Sequence, residues 1–553
     1  MHGPDGELVR VTLGEKLLLL VLAKLVNLVP EGGIWMNTQR PEWNDANNAL
    51  VGRGLSVVTL AYVGRYLRVV RDLLDEDLSV TAELRDLLAD VHAALAGHVD
   101  GVVGGFDDAS RRSVMDALGA AGTAYRARVY AGFGGGHATV DAATVRAFLD
   151  LAQQYVDSGL RANRRDDALF HSYNLLELRQ GAAGIRRLQV MLEGQVAILS
   201  SGLLGPRECL GLLHRLRGSA LYRPDQHSYM LYPDKTLPRF LERNLLSAER
   251  AARCPLVGEL VRAGDTSIVL RDVAGDFRFA PSIHNAGDVV AALAALPADV
   301  VAPEAVERDR AVLLAVFEDV FQHAEFTGRS GSFFAYEGLG SIYWHMVSKL
   351  LLAVQENVER AVAEGADASV VDRLRDAYED VRVGLGYCKT PEVYGAFPVD
   401  PYSHTPAGRG ARQPGMTGQV KEEVLTRLGE LGLRVEHGRI TFRPVLLRSQ
   451  EWTTRPETFR YLDVAGEPRS IDLPADSLAF TFCQVPVVYR HCDRSEVLVD
   501  RPDGTQVVLA GGSIDADLSA RVFQRLGDVV RITVDTSTPS ASTPSIVRGV
   551  ARG

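Results

Sequence analysis

Cysteine is scarce in this sequence of 553 residues. Cys209, Cys254, Cys388, Cys483 and Cys492 are scattered, odd in number and never in Cys-x-x-Cys spacing. That argues against a disulfide framework or a thiolate metal site and suits reduced thiols in a cytoplasm. No run of Lys or Arg occurs, and the net charge is −10, which argues against a nucleic-acid partner. Long hydrophobic runs are missing too. The stretch 17–29 is broken by Lys24 and Asn27 and is too short to span a bilayer. Asp5 and Glu7 precede it and no small-residue cleavage site follows, so it is not a signal peptide either. It reads as a buried helix, with no membrane partner.

What remains is the composition of an ordinary globular protein, 24% charged and 46% hydrophobic, long enough for more than one domain. Apolar periodicity predicts helices over 12–29, 50–75, 79–98, 107–131 and 140–158, then one long or two joined helices over 166–200. In that last stretch helical spacing puts His171, Asn174 and Glu177 on one face. Helices resume at 286–296, 302–324, 340–364, 367–386 and 419–431, with a small inserted hairpin near 266–280. From 433 the period changes to two, and alternating segments separated by turns such as Asp503-Gly504 predict an antiparallel β-sandwich to 536. Residues 537–553, rich in Ser, Thr and Pro at their start, read as a flexible tail. The expected division is thus 1–432, 433–536 and the tail.

Between the first two helices lies a polar, aromatic loop holding Arg40, Glu42, Trp43, Asn44, Asp45, Asn47 and Asn48. Polar groups crowded between buried helices are costly unless something polar uses them. A sugar ring would stack its C–H face on Trp43 and offer hydroxyls to the amides and carboxylates. The competing reading is a loop whose Asn and Asp side chains cap the next helix.

The run Trp43-Asn44-Asp45, followed by Gly52-Arg53-Gly54 and Ser56-Val57, resembles the general-acid loop of the cellobiose and chitobiose phosphorylases. The resemblance covers about twenty residues closely. It implies an (α/α)6-type helical barrel followed by a small β-domain, giving a mainly α protein, and it implies that Asp45 is the proton donor. The family has an Asp where this chain has Glu42. In the family the acid follows several helices, whereas here one helix precedes Asp45. Either the chain is the C-terminal part of a longer polypeptide or the barrel is rebuilt with an insertion.

A second cluster, 222–232, gathers Tyr222, Asp225, Gln226, His227, Tyr229 and Tyr232, which suits either sugar binding or packing. A third, 326–345, is rich in Gly and aromatics and holds Tyr336, Glu337 and Trp344. Set against the family's phosphate-holding Tyr-Thr-Gly, Tyr336-Glu337-Gly338 puts a carboxylate where phosphate would be repelled. Glu337 is then expected to be the base that activates water in an inverting glycoside hydrolase, unless it only caps the next helix. The long loop 387–418 adds His404 and Arg412 as groups for an anion or for sugar hydroxyls. The leading expectation is inverting hydrolysis of an oligo- or polysaccharide, with Asp45 as acid and Glu337 as base. Trp43, Tyr336 and Trp344 would stack on sugar, while Arg40, Asn44, Asn48, Asp225, Gln226, His227, His404 and Arg412 complete the binding set. The alternatives are a phosphorylase using the same acid, with Arg329, Arg412 or His404 on phosphate, and a non-catalytic carbohydrate-binding module. No metal and no organic cofactor is implied.

Overall fold

The computed structural model describes residues 6–37, 50–234, 239–322, 340–398, 402–414 and 419–536. Thr12 caps α1 (Leu13–Leu25) by accepting from the Glu15 amide, and Leu18, Val21, Leu22 and Leu25 form its buried face at helical spacing. Two short strands, β1 (Leu28–Val29) and β2 (Gly33–Trp35), turn the chain back. β3 (Gly54–Ser56) joins β2, and the Ser56 hydroxyl caps α2 (Val57–Leu73). Helices α3 (Ala82–Ala96), α4 (Asp108–Ala131) and α5 (Ala142–Arg161) follow.

The stretch 166–200 departs from the long helix that its spacing predicts. It begins as a hairpin, β4 (Tyr173–Arg179) and β5 (Ala182–Arg187), which extends the first sheet to five strands. Gly181 makes the turn at φ 70°. The first four residues of β4 are buried on both faces, so no alternation betrays the strand. His171 lies just outside β4, and Asn174 and Glu177 point to opposite faces of it. Only α6 (Leu192–Ser201) and α7 (Pro206–Arg217) are helical here.

Residues 239–322 have a hydrophobic core of their own, including Leu246, Leu256, Leu260, Phe279 and Phe317. They contain the hairpin β6 (Val269–Arg271) and β7 (Phe277–Phe279) and the helix α8 (Pro303–Phe321). The chain then returns through β8 (Ile342–Tyr343) into α9 (Trp344–Ala363) and α10 (Ala368–Val383). β9 (Tyr402–Thr405) and β10 (Arg412–Pro414) join β8 in a three-stranded sheet before α11 (Gln419–Glu430).

Four helices, α2, α6, α9 and α11, lie side by side and run the same way. Their first turns are stitched together: the Val57 amide donates to Ser172 O and the Gly194 amide to Ser172 Oγ. The Leu192 amide donates to Leu231 O, and the Leu231 amide to Ser341 O. Further along, Arg68 donates to Ser201 O, Asn357 to Leu199 O and Gln355 to Thr426 O. Contacts that advance along each pair of helices together require a parallel arrangement. Helices α5, α7 and α10 pack outside this row.

The mainly helical (α/α)6 barrel expected from the sequence is not what forms. Among the described residues the helices make an open, two-layered arc, and strands thread it from Leu28 onward. Apart from β4 and β5, these strands have two to four residues and leave no periodicity to read, and ring closure is a tertiary matter that no local pattern encodes. The region after Gly432 also differs from an antiparallel sandwich. Its main five-stranded sheet pairs 487–491 with 532–536 in parallel, because helix Ala516–Gln524 carries the chain across before the last strand enters between two earlier ones. This sheet has its own core around Val487, Tyr489, Val497 and Ile532. Among the described residues no helix is long and apolar enough to cross a membrane.

Candidate active site

The parallel arrangement brings the N-terminal ends of four helices to one end of the arc. Backbone N–H groups there lack intrahelical partners, and the helix dipoles add partial positive charge. Leu50, Gly340 and Gln419, which border undescribed segments, all belong to this end. Side chains from the first turns converge here. Glu193, second residue of α6, accepts from the Tyr173 hydroxyl at 2.8 Å. His345, second residue of α9, places Nε2 3.4 Å from Glu422 Oε1 on α11, and both side chains are buried. Burial alone would raise the Glu422 carboxyl, but the His345 hydrogen bond and the charges of His345, Lys421 and Lys349 outweigh it and hold it below its ordinary value. Tyr62 of α2 feels Glu193, Glu356 and Glu422. Burial first and the Glu193 charge second push its hydroxyl up to about 12 against the opposing Arg65, so it stays a proton donor.

The three-stranded sheet adds a row of side chains across neighbouring strands. Tyr343 pairs with His404, and His404 pairs with Arg412. The Tyr343 and His404 rings lie 4.9 Å apart at 30°, and His404 Nδ1 is 2.7 Å from Ser403 Oγ. Tyr343 also meets His345 edge-on at 6.1 Å. Histidine, arginine and helix N-termini thus share one end of the arc with two carboxylates, a combination that can hold an anion beside a polyhydroxyl group.

His404 and Arg412, far apart from any motif in the sequence, are therefore neighbours. Trp344 is not a stacking platform in this conformation: it is wholly buried, donates Nε1–H to Thr405 Oγ1 at 2.9 Å and packs on Tyr394. Lys389 lies over its ring at 4.7 Å and donates to Gly384 O. Desolvation lowers this ammonium to about 7, helped by Arg223 and opposed by Cys388 and Asp225.

The 222–232 cluster packs rather than opening a site. Asp225 is held by Arg223, whose guanidinium also reaches Thr405 O, and that hydrogen bond keeps the carboxyl below its usual range. Gln226 donates to Val393 O. His227, at φ 45°, meets Asp380 at 3.0 Å and Tyr222 OH at 3.2 Å. Arg40, Trp43, Asn44, Asp45, Asn48, Tyr336 and Glu337 lie outside the described residues.

Sequence reasoning missed Tyr62, Tyr173, Glu193, His345 and Glu422 as a group. A usable signal existed: Glu193 and His345 are polar residues in the first turns of otherwise buried, apolar helices, where an ionisable group needs a partner.

Residues 237–324 match the family model described as GH149 phosphorylase insertion domain 2. The match coincides with the segment that has its own core, 239–322. It supports a link to glycoside-active enzymes of the hydrolase and phosphorylase kind, without singling out the cellobiose and chitobiose phosphorylases. No curated protein matches the chain.

Proposed function

We propose that the protein is a glycoside phosphorylase, cleaving a glycosidic bond of an oligosaccharide with inorganic phosphate. The similarity of residues 237–324 to a phosphorylase insertion domain carries this reading and moves it ahead of hydrolysis. The cationic side chains and helix N-termini gathered at one end of the arc support it, since a phosphate dianion needs such partners.

In this reading a phosphate oxygen attacks the anomeric carbon as the glycosidic C–O bond breaks. Asp45 gives its proton to the departing oxygen. The products are a sugar 1-phosphate and a chain one unit shorter. His404 and Arg412 hold phosphate, and His345, oriented by Glu422, donates a further hydrogen bond. Glu193, held by Tyr173, and Tyr62 take sugar hydroxyls. Phosphate is already anionic and needs no base, so Glu337 has no step of its own. The body up to residue 432 carries the chemistry, and 433–536 packs on it through Tyr489, whose hydroxyl donates to Leu431 O.

The test is incubation with a panel of oligosaccharides, with and without phosphate, followed by phosphorus NMR. Sugar 1-phosphate is expected with phosphate, and no cleavage without it. Reducing sugar released in phosphate-free buffer at a comparable rate would overturn the proposal.

A further inference from the structure

Ser348 stands in α9 one turn after His345. It is 1% exposed, and its Oγ has no hydrogen-bond partner among the described residues. A hydroxyl inside a helix often bonds back to the carbonyl four residues earlier, here Trp344 O, and this one does not. Glu422 of α11 supplies the complementary group. Its Oε1 lies 3.4 Å from His345 Nε2, while Oε2 is buried and accepts no hydrogen bond among the described residues. A donor and a charged acceptor, both sealed from water and both unpaired, are costly to keep apart.

Helix geometry brings the two together. His345 meets α11 at Glu422, and Gln355 meets it at Thr426, donating to the carbonyl oxygen at 2.9 Å. At about 100° per residue, Ser348 falls between these two around the α9 axis, on the side that packs against α11. Its height fits as well. The helices are parallel, so a residue about 4.5 Å along α9 from His345 lies between the levels of Glu422 and Thr426, themselves about 6 Å apart. Thr426 donates its own hydroxyl to Glu422 O at 2.7 Å, which leaves the carboxylate as the open acceptor.

We infer that Ser348 is a positioning residue of the candidate site: its hydroxyl donates to Glu422 Oε2 and fixes the carboxylate so that Oε1 stays on His345. The consequence for phosphate rests on the phosphorylase reading, in which His345 donates a hydrogen bond to that anion. A carboxylate held at one oxygen turns readily about its last bond, because this terminal torsion is broad. Held at both, it presents His345 with one geometry. The charged and titratable groups around Glu422 are His345 and Lys349 of α9, Tyr62 of α2 and its own neighbour Lys421. None of them is bonded to Oε2, so Ser348 is the neutral donor that remains for it.

The experiment compares the wild-type protein with Ser348→Ala and with Ser348→Thr, which keeps a hydroxyl. Carboxyl carbon-13 NMR follows the Glu422 titration, assigned by the resonance that Glu422→Gln removes. Donation from Ser348 stabilises the anion, so Ser348→Ala should move this titration up by roughly one pH unit, and Ser348→Thr should leave it near the wild type. The melting temperature should fall in Ser348→Ala, whereas removing an idle buried hydroxyl would raise it. KM for phosphate should rise about threefold in Ser348→Ala, with kcat and the sugar KM unchanged. An unmoved Glu422 titration, an equal shift in both variants, or a more stable alanine variant overturns the inference. So does a phosphate KM that stays unchanged or rises together with the sugar KM. If no substrate yields sugar 1-phosphate, the phosphorylase reading fails by itself, and the Glu422 titration with the melting temperature decides about Ser348.

Discussion

The segment 239–322 and the helical arc bury apolar surface in different ways. The segment is a small, self-contained unit in which Phe279, Phe317 and Phe321 pack edge-on or tilted against one another, with ring centroids 4.8–5.8 Å apart. Its core is drawn from one continuous stretch of the chain. The arc instead draws one core from Leu18 to Leu446 and gathers its polar end from residues as distant as Tyr62 and Glu422. A self-contained unit leaves a recognisable sequence pattern, and this is the segment that a family model matches. The recognisable part and the part proposed to do chemistry are different parts.

The comparison predicts first that chemistry resides in the arc alone. Asp45→Asn should lower sugar 1-phosphate formation by about 10²–10⁴-fold, the usual share of a general acid, with no change in melting temperature. An equal loss of kcat from Phe317→Ala would break the comparison. That substitution should instead cost about 3–5 kcal/mol of local stability. Because the segment has its own core, hydrogen exchange should quicken in 239–322 and not in α1 or α2.

A smaller effect is expected at the strand row. Arg412→Ala should raise KM for phosphate roughly tenfold, as expected for a lost bond to a charged group, and leave KM for the sugar nearly unchanged. A shift in the sugar KM alone would move Arg412 out of the phosphate site.

The smallest effect concerns Lys389, whose ammonium is lowered to about 7 by desolvation. Above pH 7 the folded state begins to shed this proton while the unfolded chain keeps it, up to the ordinary lysine value near 10.5. The unfolded state then binds more protons, so this group makes stability rise with pH over that window and leaves it flat below. Lys389→Met should remove that slope and raise the melting temperature at neutral pH by roughly a degree or two, since partial exposure screens the effect. A steeper slope in the variant would contradict the assignment.

Much of this molecule was legible in the sequence. Helices such as α1, α9 and α10 have apolar faces at clear helical spacing, and the strands after Gly432 alternate. His404 and Arg412 were legible as polar residues in a long loop, although their pairing was not. The hairpin at 173–187 was hidden, because a strand buried on both faces has no period of two and its polar residues can imitate a helix face. Trp344 was misjudged for a related reason: beside glycine and polar residues it looked exposed, yet its indole N–H finds Thr405 and the ring is sealed inside.

The sequence by itself determined where helices begin, through caps such as Thr12, Ser56 and Asp141, and which residues must be buried, because both follow from contacts a few residues long. Only the tertiary structure decided that four helices run parallel with their first turns together. It also decided that the described helices form an arc, and that Glu193, His345, Glu422, His404 and Arg412 come to one end. Those choices depend on hydrogen bonds such as Leu231 to Ser341 and ion pairs such as Arg65 to Glu356, between residues far apart in the chain. No local periodicity carries that information, because the free energy that selects the arrangement exists only once the elements meet.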